Sequence, residues 1–239
     1  MKRLTTYLSE AAGKNTHMTH IEDLILDGGV KGARQAINAL RSMRDMLSGN
    51  AKAPIDITVK WDGAPAVFCG EDPRDGQFFV AKKGIFNAEP KVYKSHADIK
   101  ADTSGDLSKK LIMAFDNLKD LGIKDVIQGD FMFDQSDLKK ETINGIKHIT
   151  FHPNTILYAV PLDTELAKEI ERAKIGIIWH TSYSGKSFET MKAEFGRDIV
   201  GKLRRTKDVW MDDAKLKDVS GCLLYTSPSP RDLSTSRMP

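Results

Sequence analysis

The residues with the most chemical promise are Lys60-Trp61-Asp62-Gly63. A protonated lysine amine is a poor nucleophile, so a nucleophilic lysine needs desolvation, a nearby cation, or loss of its proton on attack. Ile55-Asp56-Ile57-Thr58-Val59 alternates and is β-branched, which predicts a strand ending at Lys60 and running into a tight Asp-Gly turn. The pattern Lys-x-Asp-Gly is weak alone, since average residue usage yields one in roughly one chain in twenty of this length. An edge strand with a solvated lysine and a hairpin turn is the plain alternative. The elements downstream decide between them.

Ala66-Val67-Phe68-Cys69 reads as a strand, Asp72-Pro73-Arg74-Asp75-Gly76 as a turn and Phe78-Phe79-Val80-Ala81 as the returning strand. Lys82-Lys83-Gly84 then brings a basic turn back toward Lys60. Val126 to Phe133 is an apolar strand carrying one carboxylate, Asp130. Alternation sets Phe131 and Phe133 on one side of it and Asp130 and Met132 on the other. Thr155 to Pro161 is another apolar run, and Ile149 to Phe151 and Ile175 to Trp179 also read as strands. Thr19-x-x-Glu22 is a capping box that opens a short helix to Leu26, closed by Gly28-Gly29. A second helix is predicted from Gly32 to Leu47, with Ala33, Ile37, Leu40, Met43 and Leu47 on one face. Leu107 to Leu118 and Glu165 to Lys174 read as further helices, and 83–105 as a long polar loop. The fold class is α+β: twisted, antiparallel-rich sheets with helices outside, preceded by a short helical segment.

The order of these segments resembles the covalent nucleotidyltransferase superfamily of ATP-dependent DNA and RNA ligases and mRNA-capping enzymes. Its first motif is Lys-x-Asp-Gly, matched by Lys60 to Gly63; its third is an apolar strand with Gly-Glu or Gly-Asp, matched by Gly129-Asp130. A further motif, an apolar strand with aromatics, corresponds to 155–161. Wider wording is similar to ligase-like proteins of tailed phages, in Thr19-His20-Ile21-Glu22-Asp23-Leu24, Phe86-Asn87-Ala88-Glu89-Pro90-Lys91 and Trp179-His180-Thr181-Ser182-Tyr183. The resemblance covers roughly residues 16 to 221, and its first motif is its sharpest part.

The resemblance implies a nucleotide cleft in a ligase core of nucleotidyltransferase or ATP-grasp-like type, with ATP and Mg²⁺ as cofactors. Lys60 would attack the α-phosphate and form lysyl-AMP, with Lys82 or Lys83 nearby. Asp62 admits two roles, a structural turn or a contact to nucleotide. Gly63 allows close backbone approach to phosphate or ribose. Asp130 corresponds to the carboxylate of the third motif and would hold the ribose or, through water, the metal. Tyr158 or Phe133 can stack on adenine, although aromatics on sheet strands serve equally as core. Superfamily members often carry arginine two residues after the motif glycine; here that position is Pro65. RNA or DNA ends are the implied partners, without membrane, in a monomeric cytoplasmic phage protein. The alternatives are a GTP-dependent capping-type transferase and a non-catalytic phage binding protein that keeps the fold.

The fourth motif of the superfamily needs a Glu-Gly pair, and none occurs in the 239 residues. Lys215-Leu216-Lys217 fits the Lys-x-Lys pattern of the fifth motif but lacks a fourth before it, and reads as a solvated helix. Residues 222–239, from Cys222-Leu223-Leu224-Tyr225-Thr226-Ser227 onward, resemble a translated sequencing adapter and are expected to carry no stable structure. Three segments result: an arm and helical segment over 1–50, a partial adenylation domain over 51–221 truncated before the last motifs, and the foreign tail. Without that tail the net charge of +3 loses two arginines and one aspartate, leaving +2. That balance alone does not argue for nucleic acid. Cys69 is then the sole cysteine, which excludes a disulfide framework. No Cys/His cluster suggests zinc, and His148 and His152 read as surface residues. Gly185-Lys186-Ser187 is no phosphate loop, because His180 stands where that motif needs glycine.

Overall fold

A computed structural model of the chain describes residues 21–47, 59–195, 198–215 and 224–226. The predicted strand over 55–59 lies outside these residues except for Val59. The chain divides into two compact units, 1–56 and 57–239. The first contains helix α1 (Ile21–Leu47), in which Gly29 leaves helical geometry at φ 51° and ψ −134°. The two helices expected on either side of Gly28-Gly29 are therefore present and joined at a glycine kink. Ile37 and Leu40 of the expected apolar face are exposed.

The second unit is built on two sheets. Strands β1 (Ala66–Glu71) and β2 (Phe78–Ala81) form the predicted hairpin. They are followed by helices α2 (His96–Asp102) and α3 (Gly105–Leu118) and strands β3 (Val126–Asp134), β4 (Lys139–Ile143), β5 (Ile146–Phe151) and β6 (Leu157–Pro161). Helix α4 (Glu165–Arg172), β7 (Ile175–Ser184), β8 (Lys192–Phe195), β9 (Val209–Asp213) and β10 (Leu224–Thr226) complete the order. One sheet has the order β2-β1-β3-β7-β8, with β9 running parallel to the first half of β7. The other has the order β10-β6-β5-β4. Apart from β7–β9, every pairing is antiparallel.

Helix α3 forms because Leu107, Leu111, Ala114 and Leu118 recur at helical spacing, so one stripe buries against the first sheet. Leu111, Ala114 and Leu118 pack there with Val67, Cys69, Ile127, Ile177 and Trp179. Truncating Leu111 to alanine would leave a cavity and cost about 2–5 kcal/mol. The opposite face of the same sheet is divided. At one end Met132, Phe133, Ile178 and Trp210 pack against Phe151, Tyr158 and Val160 of the second sheet and Ala167 and Ile170 of α4. At the other end Phe68, Phe79, Val126, Tyr183 and Phe188 form a separate cluster. Gln128, Asp130 and His180 lie between these clusters on the shared strands, only partly buried.

Several features depart from the sequence reading, among them strands β8 and β9, which it does not contain. The loop over 83–105 contains α2, whose cap is the Ser95 hydroxyl accepting from the Asp98 amide at 3.2 Å. Strand β4 pairs with β5 across Asn144-Gly145, both with positive φ (51° and 81°), the hairpin turn that Asn-Gly favours. Lys215 follows β9 in a bridge rather than a helix, and Lys217 lies outside the described residues. Within 222–239, Leu224–Thr226 pairs with β6, unlike the structureless segment expected; the β-prone Leu-Tyr-Thr meets an otherwise open strand edge. His148 is also not a surface residue. It is buried, and its Nδ1 hydrogen-bonds the Ile146 carbonyl at 2.9 Å, whereas His152 is exposed.

The β1–β2 turn carries a charge cluster around a buried carboxylate. Asp72 is fully buried and accepts from the Arg74 guanidinium at 2.7 and 2.9 Å, the Arg74 amide at 2.9 Å and Lys94 Nζ at 2.7 Å. Burial pushes its carboxyl up, but the Arg74 and Lys94 bonds outweigh that and hold it well below the usual carboxylate range. A depressed folded value means the stabilisation is complete above the unfolded value, about 3.9, and is lost as pH falls through the folded one. Asp72→Asn should therefore cost about 3 kcal/mol at pH 7. In urea titrations the gap to the wild type should narrow from about pH 5 downward. A gap independent of pH would refute the ionic assignment.

Candidate functional site: the Lys60–Gly63 segment over Asp130

Backbone hydrogen bonds suspend the segment between two strands. The Val59 amide donates to the Ala214 carbonyl just past β9 at 2.9 Å. The Ala64 amide donates to the Phe131 carbonyl, and the Phe131 amide to the Pro65 carbonyl, each at 3.0 Å. Asp62-Gly63 is not the tight turn expected; neither residue lies in a turn, and the chain bends at Ala64-Pro65. Gly63 crosses directly over β3. A Cβ at Gly63 would lie 2.5 Å from the Asp130 Cβ and 2.9 Å from the Met132 Sδ and the Phe131 carbonyl oxygen. No side chain fits, so close approach is what this glycine supplies.

Asp62 is committed to the loop between β5 and β6. One carboxylate oxygen accepts from Asn154 Nδ2 at 2.9 Å, and the other from the Thr155 amide at 2.8 Å and the Thr155 hydroxyl. Partial burial raises its carboxyl, but the Thr155 and Asn154 bonds prevail and lower it. The Asp62 amide donates to the Tyr158 hydroxyl at 2.8 Å. Of the two roles open to Asp62, these contacts are structural. Tyr158 is fully buried and stacks with Trp61 at 5.2 Å and with Phe151 at 5.3 Å. A fully buried ring has no free face for adenine. Phe133 is likewise buried, against Phe151 and Trp210.

Lys60 is exposed on this segment, and its charge interacts with Asp62. Asp130 is partly buried on β3, opposite Ala66 of β1 and Ile178 of β7. Its Oδ1 faces His180 Nε2 at 3.8 Å. The basic turn is not at this point. Lys82 Nζ is 3.0 Å from Asp102, which also takes Lys91 at 2.8 Å and the Tyr93 hydroxyl at 2.6 Å. Lys91, Tyr93 and Lys82 together hold the Asp102 carboxyl well below its ordinary range. Lys83 is exposed at the start of a short 3-10 turn, Lys83–Phe86. Strand β1 separates β2 from Asp130, so the basic turn stands off by two strand spacings, about 10 Å.

The structure thus brings Gly63 and Asp130 together, and ties Asp62 and Tyr158 to each other beside them. It leaves Lys82 and Lys83 two strand spacings away, beyond β1. Sequence reasoning misses His180, which stands out there only for breaking a phosphate-loop pattern; its signal is the Trp179-His180-Thr181-Ser182-Tyr183 wording. Among the described residues no three His, Cys, Asp or Glu side chains group as a metal site. A hollow of about 490 Å³ lies elsewhere, between Asp137, Lys139, Glu141 and His152, and includes none of the expected site residues.

Residues 15–235 match the model of a family of unknown function (DUF6267), and the chain belongs to that family. The matched stretch takes in residues 222–235, part of the segment that resembles an adapter. No curated protein and no solved structure matches the chain.

Proposed function

We propose that this member of the DUF6267 family is an ATP-dependent nucleotidyltransferase of polynucleotide-ligase type, with Lys60 as the nucleophile. The observation that carries the reading is the approach of Gly63 to Asp130. Two segments more than sixty residues apart, each carrying a motif-like residue set, meet on one sheet face beside an exposed lysine. Paired strands β1 and β3 hold that meeting rigidly, in the register Ala66 opposite Asp130.

The Lys60 amine attacks the α-phosphorus of ATP: a nitrogen–phosphorus bond forms, and the bond to the bridging oxygen breaks. Pyrophosphate leaves with the electron pair, and the amine gives up its proton. Because Lys60 is exposed and the triphosphate's own negative charge favours the ammonium form, a cation brought alongside with the nucleotide would have to favour the neutral, nucleophilic amine. Asp130 orients the nucleotide, and Lys82 and Lys83 attract its phosphates at longer range, from beyond β1. Mg²⁺ keeps most of its waters and often uses a single protein carboxylate, so Asp130 fits that need; bound there, it would neutralise phosphate charge. The adenylyl group then passes to a nucleic-acid 5′-phosphate.

The pairing of Lys82 with Asp102 favours a second reading, a non-catalytic binding module that keeps the fold. Incubation with α-labelled ATP and Mg²⁺ separates the two, since only the enzyme acquires covalent label. GTP labelling more efficiently than ATP would move the assignment to a capping-type transferase.

A further inference from the structure

Strands β3 and β7 fall out of register at one point. Gln128 pairs with Thr181 and Gly129 with Trp179, which leaves His180 as the extra residue of a β-bulge. Bulges re-aim side chains, and they concentrate near active sites. Here the imidazole and the Asp130 carboxylate meet on the strip between the two apolar clusters, with 24% and 19% of their side chains exposed. The ring is held from its far side, where Nδ1 lies 2.7 Å from the hydroxyl of buried Thr181. With that hydroxyl donating to Nδ1, the neutral ring carries its hydrogen on Nε2, facing Asp130.

The spacing from Nε2 to Oδ1 is 3.8 Å, too long for a direct hydrogen bond. It suits one oxygen bonded to both, and a hydroxyl does this naturally, accepting from the imidazole while donating to the carboxylate. Among the described residues His180 is the one basic group within ion-pair distance of Asp130.

We propose that His180 is a specificity-determining residue, which with Asp130 binds one ribose hydroxyl of the nucleotide and so selects a ribonucleoside triphosphate. This rests on the nucleotidyltransferase reading above. A site built to bond a hydroxyl leaves its polar groups unpaired when the analogue lacks it, so the penalty falls on the deoxy substrate.

The test measures covalent labelling of the full chain with ATP, 2′-deoxyATP and 3′-deoxyATP, in the wild type, His180→Ala and His180→Gln. The wild type should prefer ATP to one deoxy analogue by tenfold or more. His180→Ala should lose about tenfold in kcat/KM with ATP and little with that analogue, the upper end of what one hydrogen bond contributes. His180→Gln keeps a side-chain N–H and should recover part of the preference. Equal losses on all three nucleotides would make His180 a mere support for Asp130 and overturn the proposal. Absence of label from any nucleotide in the wild type would instead remove the nucleotidyltransferase reading, and this proposal with it.

Discussion

Replacing Lys60 with alanine is expected to abolish covalent labelling by ATP, a fall of three orders of magnitude or more, as removal of a nucleophile commonly brings. The wild-type adduct should survive alkali and break in acid, the behaviour of a phosphorus–nitrogen bond. Lys60→Arg should fail equally, because a guanidinium stays protonated and is no nucleophile. Folding should be untouched: Lys60 is exposed, and surface substitutions usually change stability by less than about 0.5 kcal/mol. Melting temperature and activity therefore separate cleanly at this position. Label that persists in Lys60→Ala would sink the mechanism. Asp130→Asn should weaken labelling without moving it to another residue, since it changes nucleotide placement and leaves the attacking amine in place.

Tyr158 should show the largest effect on stability, of a kind an adenine-stacking residue would not produce. Its ring stacks with both Trp61 and Phe151, and its hydroxyl takes the Asp62 amide. Tyr158→Ala removes the ring from a fully buried position and should cost about 3–5 kcal/mol, lowering the melting temperature by about 10 °C for a chain of this size. It should also release the Lys60–Gly63 segment and reduce labelling, because Trp61 and Asp62 both lose a partner. Tyr158→Phe is the sharper probe. It keeps the stack and leaves one backbone amide without its acceptor, a loss of about 1–3 kcal/mol. The KM for ATP should stay within about twofold in that variant. A large rise in KM with unchanged stability would return Tyr158 to the nucleotide.

Periodicity and turn chemistry make most of the elements legible in the amino-acid sequence. The β1–β2 hairpin, α3, β3 and α4 follow from apolar spacing and turn residues within a dozen positions, because local backbone preference and one buried face suffice to define them. The same holds for Gly29, where the expected break between two helices is a kink. Short signals are easily passed over where flanking residues are polar: Ser95 caps α2, and Asn144-Gly145 makes the β4 hairpin.

The site divides along a different line. Residue type alone marks Lys60, Gly63 and Asp130, since a lysine, a glycine and a carboxylate in those patterns have few substitutes for the chemistry implied. Partners cannot be read in the same way. Asp62 bonds a loop more than ninety residues away, Lys82 turns to Asp102, Tyr158 stacks with the rings of Trp61 and Phe151, and a one-residue bulge aims His180 at Asp130. Sheet order and register set each of these contacts, and a shift of one residue would send the side chain to the opposite face. Residue types and their spacing thus specify which chemistry is on offer and most of the elements that carry it. Which groups face Asp130 is settled in three dimensions, because strand register is a property of paired segments and not of either segment alone.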